Sequence, residues 1–109
     1  MAKFELYKDK AGEFRFRLKA KNGQNILKSE AYKSKSNCEN GINAVKLNAT
    51  KQTRYQHAQS KNGEPYFNLK AANGKIIGTS EMFSSVSAME NGIASVKSNA
   101  PDAVVDYLC

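Results

Sequence analysis

Few residues in this chain have the chemical character of a reaction centre, and their spacing suits none. His57 is the only histidine, and Cys38 and Cys109 are the only cysteines. The two cysteines stand in no zinc-holding pattern, and one pair in 109 residues is no disulfide framework. Cys38 falls on an apolar helical stripe and reads as a small buried hydrophobe, whereas Cys109, at the last position, reads as an exposed thiol. His57 shares the inward side of an alternating segment with Tyr55, which predicts a partly buried core histidine with a hydrogen-bond partner. No serine, cysteine or carboxylate motif singles it out. Ser29-Glu30 recurs as Ser80-Glu81. Such paired glutamates serve acid–base chemistry only across a cleft, and two helices on a small sheet leave little room for one. Asn40-Gly41 and Asn91-Gly92 lack the preceding strand and glycine pattern of a phosphate loop. The expectation is a chain with no catalytic residue, no metal and no cofactor, hence not an enzyme.

Binding chemistry is better represented. Tyr7, Arg15, Arg17, Lys19, Tyr66, Asn68 and Lys70 fall on the side of their segments opposite the apolar residues. Cations interleaved with rings suit single-stranded nucleic acid, where bases stack on aromatics and phosphates meet Lys and Arg. Tyr7, Arg15, Arg17, Lys19, Tyr66 and Lys70 are therefore the candidate surface for single-stranded nucleic acid or another polyanion. The net charge of +7 is unevenly spread. Residues 1–51 carry 12 Lys or Arg against 5 acidic residues, and residues 52–109 carry 5 against 5. A sheet also wets one face with long polar side chains for no other reason. The alternative is thus a protein-interaction or structural module that uses the open face or an edge strand.

The elements that must position these residues are written twice. Sliding the chain by 51 positions sets Lys10–Ala49 on Lys61–Ala100 with 22 of 40 residues identical. A period near 50 residues signals paired units that cannot each cover an apolar face alone, so the halves should share one core. Cys38, Ile42, Val45 and Ala49 fall at helical spacing, as do Met89, Ile93, Val96 and Ala100. Ser36 with Glu39, and Ser87 with Glu90, predict a capping box at each helix start. Leu47, off the stripe and matched by Ser98, should be exposed. Gly41 and Gly92 interrupt the helices at a cost of ~1 kcal/mol each, which suits a backbone lying close against the sheet. Pro101 ends the second helix.

Upstream of each helix the period changes to two. Phe4 and Leu6 alternate with Glu5 and Tyr7, and a turn at Asp9–Gly12 follows. Phe14, Phe16, Leu18 and Ala20 then point away from Arg15, Arg17 and Lys19. Asn22-Gly23 predicts a two-residue type I′ hairpin into a third strand opened by Ile26, and Asn73-Gly74 repeats it. Pro65, lacking an amide donor, belongs at a strand start or edge. Ala103–Leu108 reads as a last strand on the shared sheet.

With 40% hydrophobic and 25% charged residues the composition is that of an ordinary folded domain. The expected organisation is one domain over 1–109 built of two repeats, about 1–51 and 52–109. No apolar leader or membrane-length run occurs, so the chain is expected to be cytoplasmic, monomeric and free of membrane. The segments GEFRFRLKAKNG, SEAY and ENGINAVKLNA, with GEPYFNLKAANG, SEMF and ENGIASVKSNA, resemble the YegP-like family of small bacterial tandem-repeat proteins. That resemblance implies an α+β fold of tandem β3-α-β repeats. It further implies one mostly antiparallel sheet with two helices on one face and C-terminal strands exchanged between repeats. It supplies no activity.

Overall fold

The computed structural model describes residues 2–109. Seven strands form one sheet in the order β4-β5-β6-β3-β2-β1-β7. β1 is Lys3–Lys8, β2 Phe14–Lys19, β3 Asn25–Lys28, β4 Tyr55–Gln59, β5 Pro65–Lys70, β6 Ile76–Thr79 and β7 Val104–Tyr107. The helices are α1, Lys35–Asn48, and α2, Val86–Asn99. All pairs are antiparallel except β1 with β7, which is parallel. The two halves meet where Lys28 pairs with Thr79, its own repeat equivalent. β4, which follows α1, opens the second half and pairs with β5, whereas β7 leaves α2 and crosses to pair with β1 of the first half. The exchange implied by the resemblance is therefore present.

Both helical stripes and the inward strand residues form one buried cluster, including Phe4, Leu6, Phe16, Leu18, Phe67 and Leu69 together with Ile42, Val45, Ile93 and Val96. The two helices thus lie on one face of the sheet. Leu47 is exposed, as its position off the stripe predicts. A Cβ built at Gly41 would lie 2.5 Å from the Tyr32 hydroxyl, and one at Gly92 would lie 2.6 Å from Phe83 Cζ. The tight helix–sheet approach expected of these glycines is thus real. An aromatic ring is wedged under each helix and stacked on the strand behind it, Tyr32 on Phe16 and Phe83 on Phe67.

Two local expectations fail for identifiable reasons. The helix caps are Ser34 and Ser85, whose hydroxyls accept from the amides of Asn37 and Ala88, so Ser36 and Ser87 lie within the first turn and no capping box forms. The Asn-Gly hairpins are not two-residue turns either. In the first repeat Ala20 donates to Gln24 O and Gly23 donates to Ala20 O, with positive φ at Gly23 alone. A type I′ turn needs two such residues. The loop instead has three residues, ending on a left-handed glycine, and Gly12, Gly63 and Gly74 close the other hairpins with the same pair of bonds.

The third strand of each repeat carries a bulge. The β2–β3 register slips after Leu18, so Ile26 and Leu27 are both buried, and the β5–β6 register slips at the equivalent place. Beyond the bulge the backbone departs from regular pairing, and Ser29 and Ser80 fill in. The Ser29 hydroxyl accepts from the Phe16 amide at 2.9 Å and donates to Glu30 O, and Ser80 does the same for Phe67 and Glu81. The repeated Ser-Glu dipeptide is thus a backbone device carried by the serine, and Glu30 and Glu81 are exposed. Pro65 opens β5, as expected. Phe83 donates to its carbonyl, whereas in the first repeat Phe14 and Tyr32 exchange both bonds.

Candidate functional site

The face opposite the helices is uncovered, and β-pairing aligns its side chains in rows. One row crosses the whole sheet: Asp106, Glu5, Arg17, Lys28, Thr79, Asn68 and Gln56, one from each strand. Its two halves differ in chemistry. In the second half Thr79 donates to Asn68 Oδ1 at 2.9 Å and Asn68 donates to Gln56. In the first half the groups are ionic. Glu5, 6% exposed, receives Arg17 Nε at 2.6 Å and has Lys19 Nζ at 3.5 Å and Lys3 Nζ at 3.6 Å. The Arg17 hydrogen bond holds the Glu5 carboxyl below its ordinary range, with the charges of Arg17 and Lys19 adding and partial burial opposing.

The six residues expected to bind nucleic acid are all on this face, in two separate groups. Tyr7, Arg15, Arg17 and Lys19 lie on β1 and β2, and Tyr66 and Lys70 lie on β5. β3 and β6 separate the groups by about three strand spacings, roughly 14 Å. Within the first group the cations have partners. Arg15 holds Asp9 at 2.8 Å, Arg17 and Lys19 hold Glu5, and the Arg17 guanidinium also lies 4.5 Å from the centre of the Tyr7 ring. Four cations, Lys3, Arg15, Arg17 and Lys19, are thus set against three carboxylates, Glu5, Asp9 and Asp106.

The sheet has two edges, and they are not equivalent. β7 is one of them, seated along the outer side of β1. Val104 donates to Ala2 O at 3.4 Å, and Leu108 donates to Leu6 O at 2.8 Å. Val105 packs against the core. The Tyr107 hydroxyl donates to Glu39 Oε2 at 2.6 Å, and Lys35 Nζ lies 4.6 Å from its ring centre. On the outer side Asp106 meets Lys3 Nζ at 3.4 Å. Under this strand Leu6 is fully buried.

Repeat symmetry maps that seat onto the opposite edge, where no strand lies among the described residues. Glu39, Ile42, Lys46 and Lys3 become Glu90, Ile93, Lys97 and Arg54, and Lys35 becomes the exposed Val86. His57, Gln52, Glu90, Ile93, Ala94 and Lys97 line a cleft of about 310 Å³ beside β4. His57 holds the position of Leu6 yet is exposed, which corrects the expectation of a partly buried core histidine. The physical reason is the edge: none of the described residues covers the outer side of β4. The β4 backbone is free there as well. Phe67 turns its amide and carbonyl toward Ser80, so its cross-strand neighbour His57 turns its own amide and carbonyl away from β5, out to the edge.

Nothing in a single alternating segment marks this edge, since only the destination of β7 distinguishes the two sides. A legible trace existed in the pairing of Leu6 with His57 across the repeat, an apolar residue exchanged for a polar one. Among the described residues, no group of His, Cys, Asp or Glu is arranged to hold a metal, and no helix is long and apolar enough to cross a membrane.

Comparison with known proteins agrees with this architecture. A family model described as a domain of unknown function (DUF1508) matches residues 9–56 and again 60–106. A UPF0339 protein in the ptx operon 5′ region of Stutzerimonas stutzeri is 55% identical over 102 residues, 94% of this chain and 92% of that protein. The UPF0339 protein YegP of Escherichia coli K12 is 49% identical, over 94% and 93% of the two chains. The solution structure of a UPF0339 protein from Shewanella oneidensis superposes with a TM-score of 0.92 at 48% identity, covering 98% of this chain and 91% of that one.

Proposed function

The chain belongs to the DUF1508 family, whose description assigns no activity, and we propose from its own geometry that it is a protein-interaction module which takes an extended partner segment onto the β4 edge. One observation carries this reading: of two symmetry-related strand seats, one holds β7 and the other is built but open. Adding a strand to such an edge uses backbone hydrogen bonds for affinity and the flanking groove for selectivity. The outer face is the weaker platform. Arg15, Arg17 and Lys19 already share the carboxylates of Asp9 and Glu5, so part of their charge is neutralised within the chain and less counterion release is left to drive nucleic-acid binding.

The test is selection of short random displayed peptides on the intact protein, alongside titration with a single-stranded oligonucleotide at low salt. Binders should appear and should be lost on His57→Pro, which removes an edge amide at a position where a β-strand tolerates proline. Binders that ignore His57→Pro would refute the docking reading. So would tight, salt-dependent oligonucleotide binding abolished by Arg15→Glu with Arg17→Glu.

A further inference from the structure

The filled seat states what the open one is shaped to hold. In the β1–β7 register Val105 lies opposite Phe4, Asp106 opposite Glu5 and Tyr107 opposite Leu6. Val105 enters the groove beside Ile42, Asp106 stands on the outer face near a cation, and Tyr107 returns to the groove to reach Glu39. We infer that the β4 edge recognises, in a partner protein, an extended segment with a branched apolar residue, an acidic residue and a tyrosine in succession, running parallel to β4. This rests on the docking reading above and specifies its partner.

Each recognition element has its counterpart. The apolar residue would lie opposite Tyr55, over Ile93 and Ala94. The acid would lie opposite Gln56, on the outer face, where Arg54 holds the sequence position of Lys3 and is tied through Nε to Asn48 at 2.9 Å. The tyrosine would lie opposite His57 with its hydroxyl toward Glu90. Its ring would meet Val86 in place of Lys35, an apolar contact for a side chain that is now 59% exposed. Parallel pairing follows from the template, since β7 runs parallel to β1.

A second copy of this chain is a poor occupant. Its own β7 would have to leave β1, uncovering Phe4 and Leu6, both fully buried. Two β4 strands pairing edge to edge about a two-fold axis normal to the sheet would run antiparallel, against the parallel register of the filled seat. A free segment of another protein bears neither cost.

The probe is a synthetic peptide with the sequence Pro-Asp-Ala-Val-Val-Asp-Tyr-Leu, titrated into the intact, isotope-labelled protein. Saturable amide shifts should concentrate at Tyr55–Gln59 and along Glu90–Lys97. Glu90→Gln, at an exposed position where folding is not at stake, should weaken binding about threefold to tenfold, as should replacing the peptide tyrosine by phenylalanine, the worth of one exposed charge-assisted hydrogen bond. A scrambled peptide should not compete. Shifts at β1 and β7 alone, or dimerisation through β4 measured by sedimentation, would overturn the inference. If selected random peptides reach β4 but this sequence binds no better than its scramble, the pattern is wrong and the docking reading stands. If neither reaches β4, both fall.

Discussion

Gly92→Ala sets two effects of similar size against each other, and the structure decides the sign. An exposed helix interior would gain ~1 kcal/mol from alanine over glycine. Here the new Cβ would sit 2.6 Å from Phe83 Cζ, 3.1 Å from Phe83 Cε1 and 3.3 Å from Phe67 Cε2. Carbon atoms pack best at about 3.5–4.0 Å, so the Phe83 ring must withdraw by roughly 1 Å. It has little room to do so. Its ring is stacked on Phe67, 6.2 Å between centres, and its amide is tied to Pro65 O at 2.8 Å. Overpacking of this kind costs ~1–3 kcal/mol, which leaves a net loss of about 1 kcal/mol. For a domain of this length that lowers the thermal midpoint by roughly 4–8 °C. Phe83→Leu removes the obstructing ring, and in that background Gly92→Ala should stabilise by ~1 kcal/mol. Urea unfolding of the four proteins in this cycle measures the coupling directly. If Gly92→Ala stabilises the otherwise unaltered protein by ~1 kcal/mol, the close-approach account of this glycine is wrong.

Ser29→Ala and Ser80→Ala each strand a buried backbone amide, Phe16 or Phe67, and should cost ~1–3 kcal/mol in denaturant titration; a neutral result would mean the hydroxyl is dispensable. Glu5 has its pKa below the ordinary 4.5, so its contribution to stability is complete above that value and is lost as pH falls through it and below. Glu5→Gln should accordingly flatten the acid limb of the stability profile from about pH 4.5 downward, and an unchanged limb would refute the pairing. Burial pushes the Cys38 thiol up to about 11, so a disulfide reagent near neutral pH should label Cys109 promptly and Cys38 only on unfolding. Residues 1–58 alone should be unfolded or should dimerise, and a folded monomer would disprove the shared core.

The duplicated pattern made the fold readable because each assignment could be checked against its copy. The helical stripes, the inward strand residues and the exposure of Leu47 all follow from periodicity alone. The helix start did not, because Ser34 and Ser36 are both competent caps two residues apart, and Glu39 three residues after Ser36 favours the wrong one. The hairpins misled for a similar reason: Asn-Gly fits a two-residue turn, and only the bonds from Ala20 to Gln24 show a third residue in the loop. Of the candidate surface, the residues and their common face were legible. The neutralising partners were not, since the burial of Glu5 among Lys3, Arg17 and Lys19 depends on cross-strand register, which alternation does not fix. The open edge was out of reach because it is defined by where a distant strand goes.

Where the halves meet, Leu27 fills the space that its repeat equivalent, Gly78, leaves empty: a Cβ on Gly78 would be 2.7 Å from Leu27 Cδ2. Two first halves joined this way would drive leucine against leucine, and two second halves would leave a hole. The seam is thus a knob and a socket, and it discriminates unlike from like. Separately produced halves, mixed together, should sort into mixed pairs, and a gene reduced to either repeat would lose the partner its seam was cut to fit.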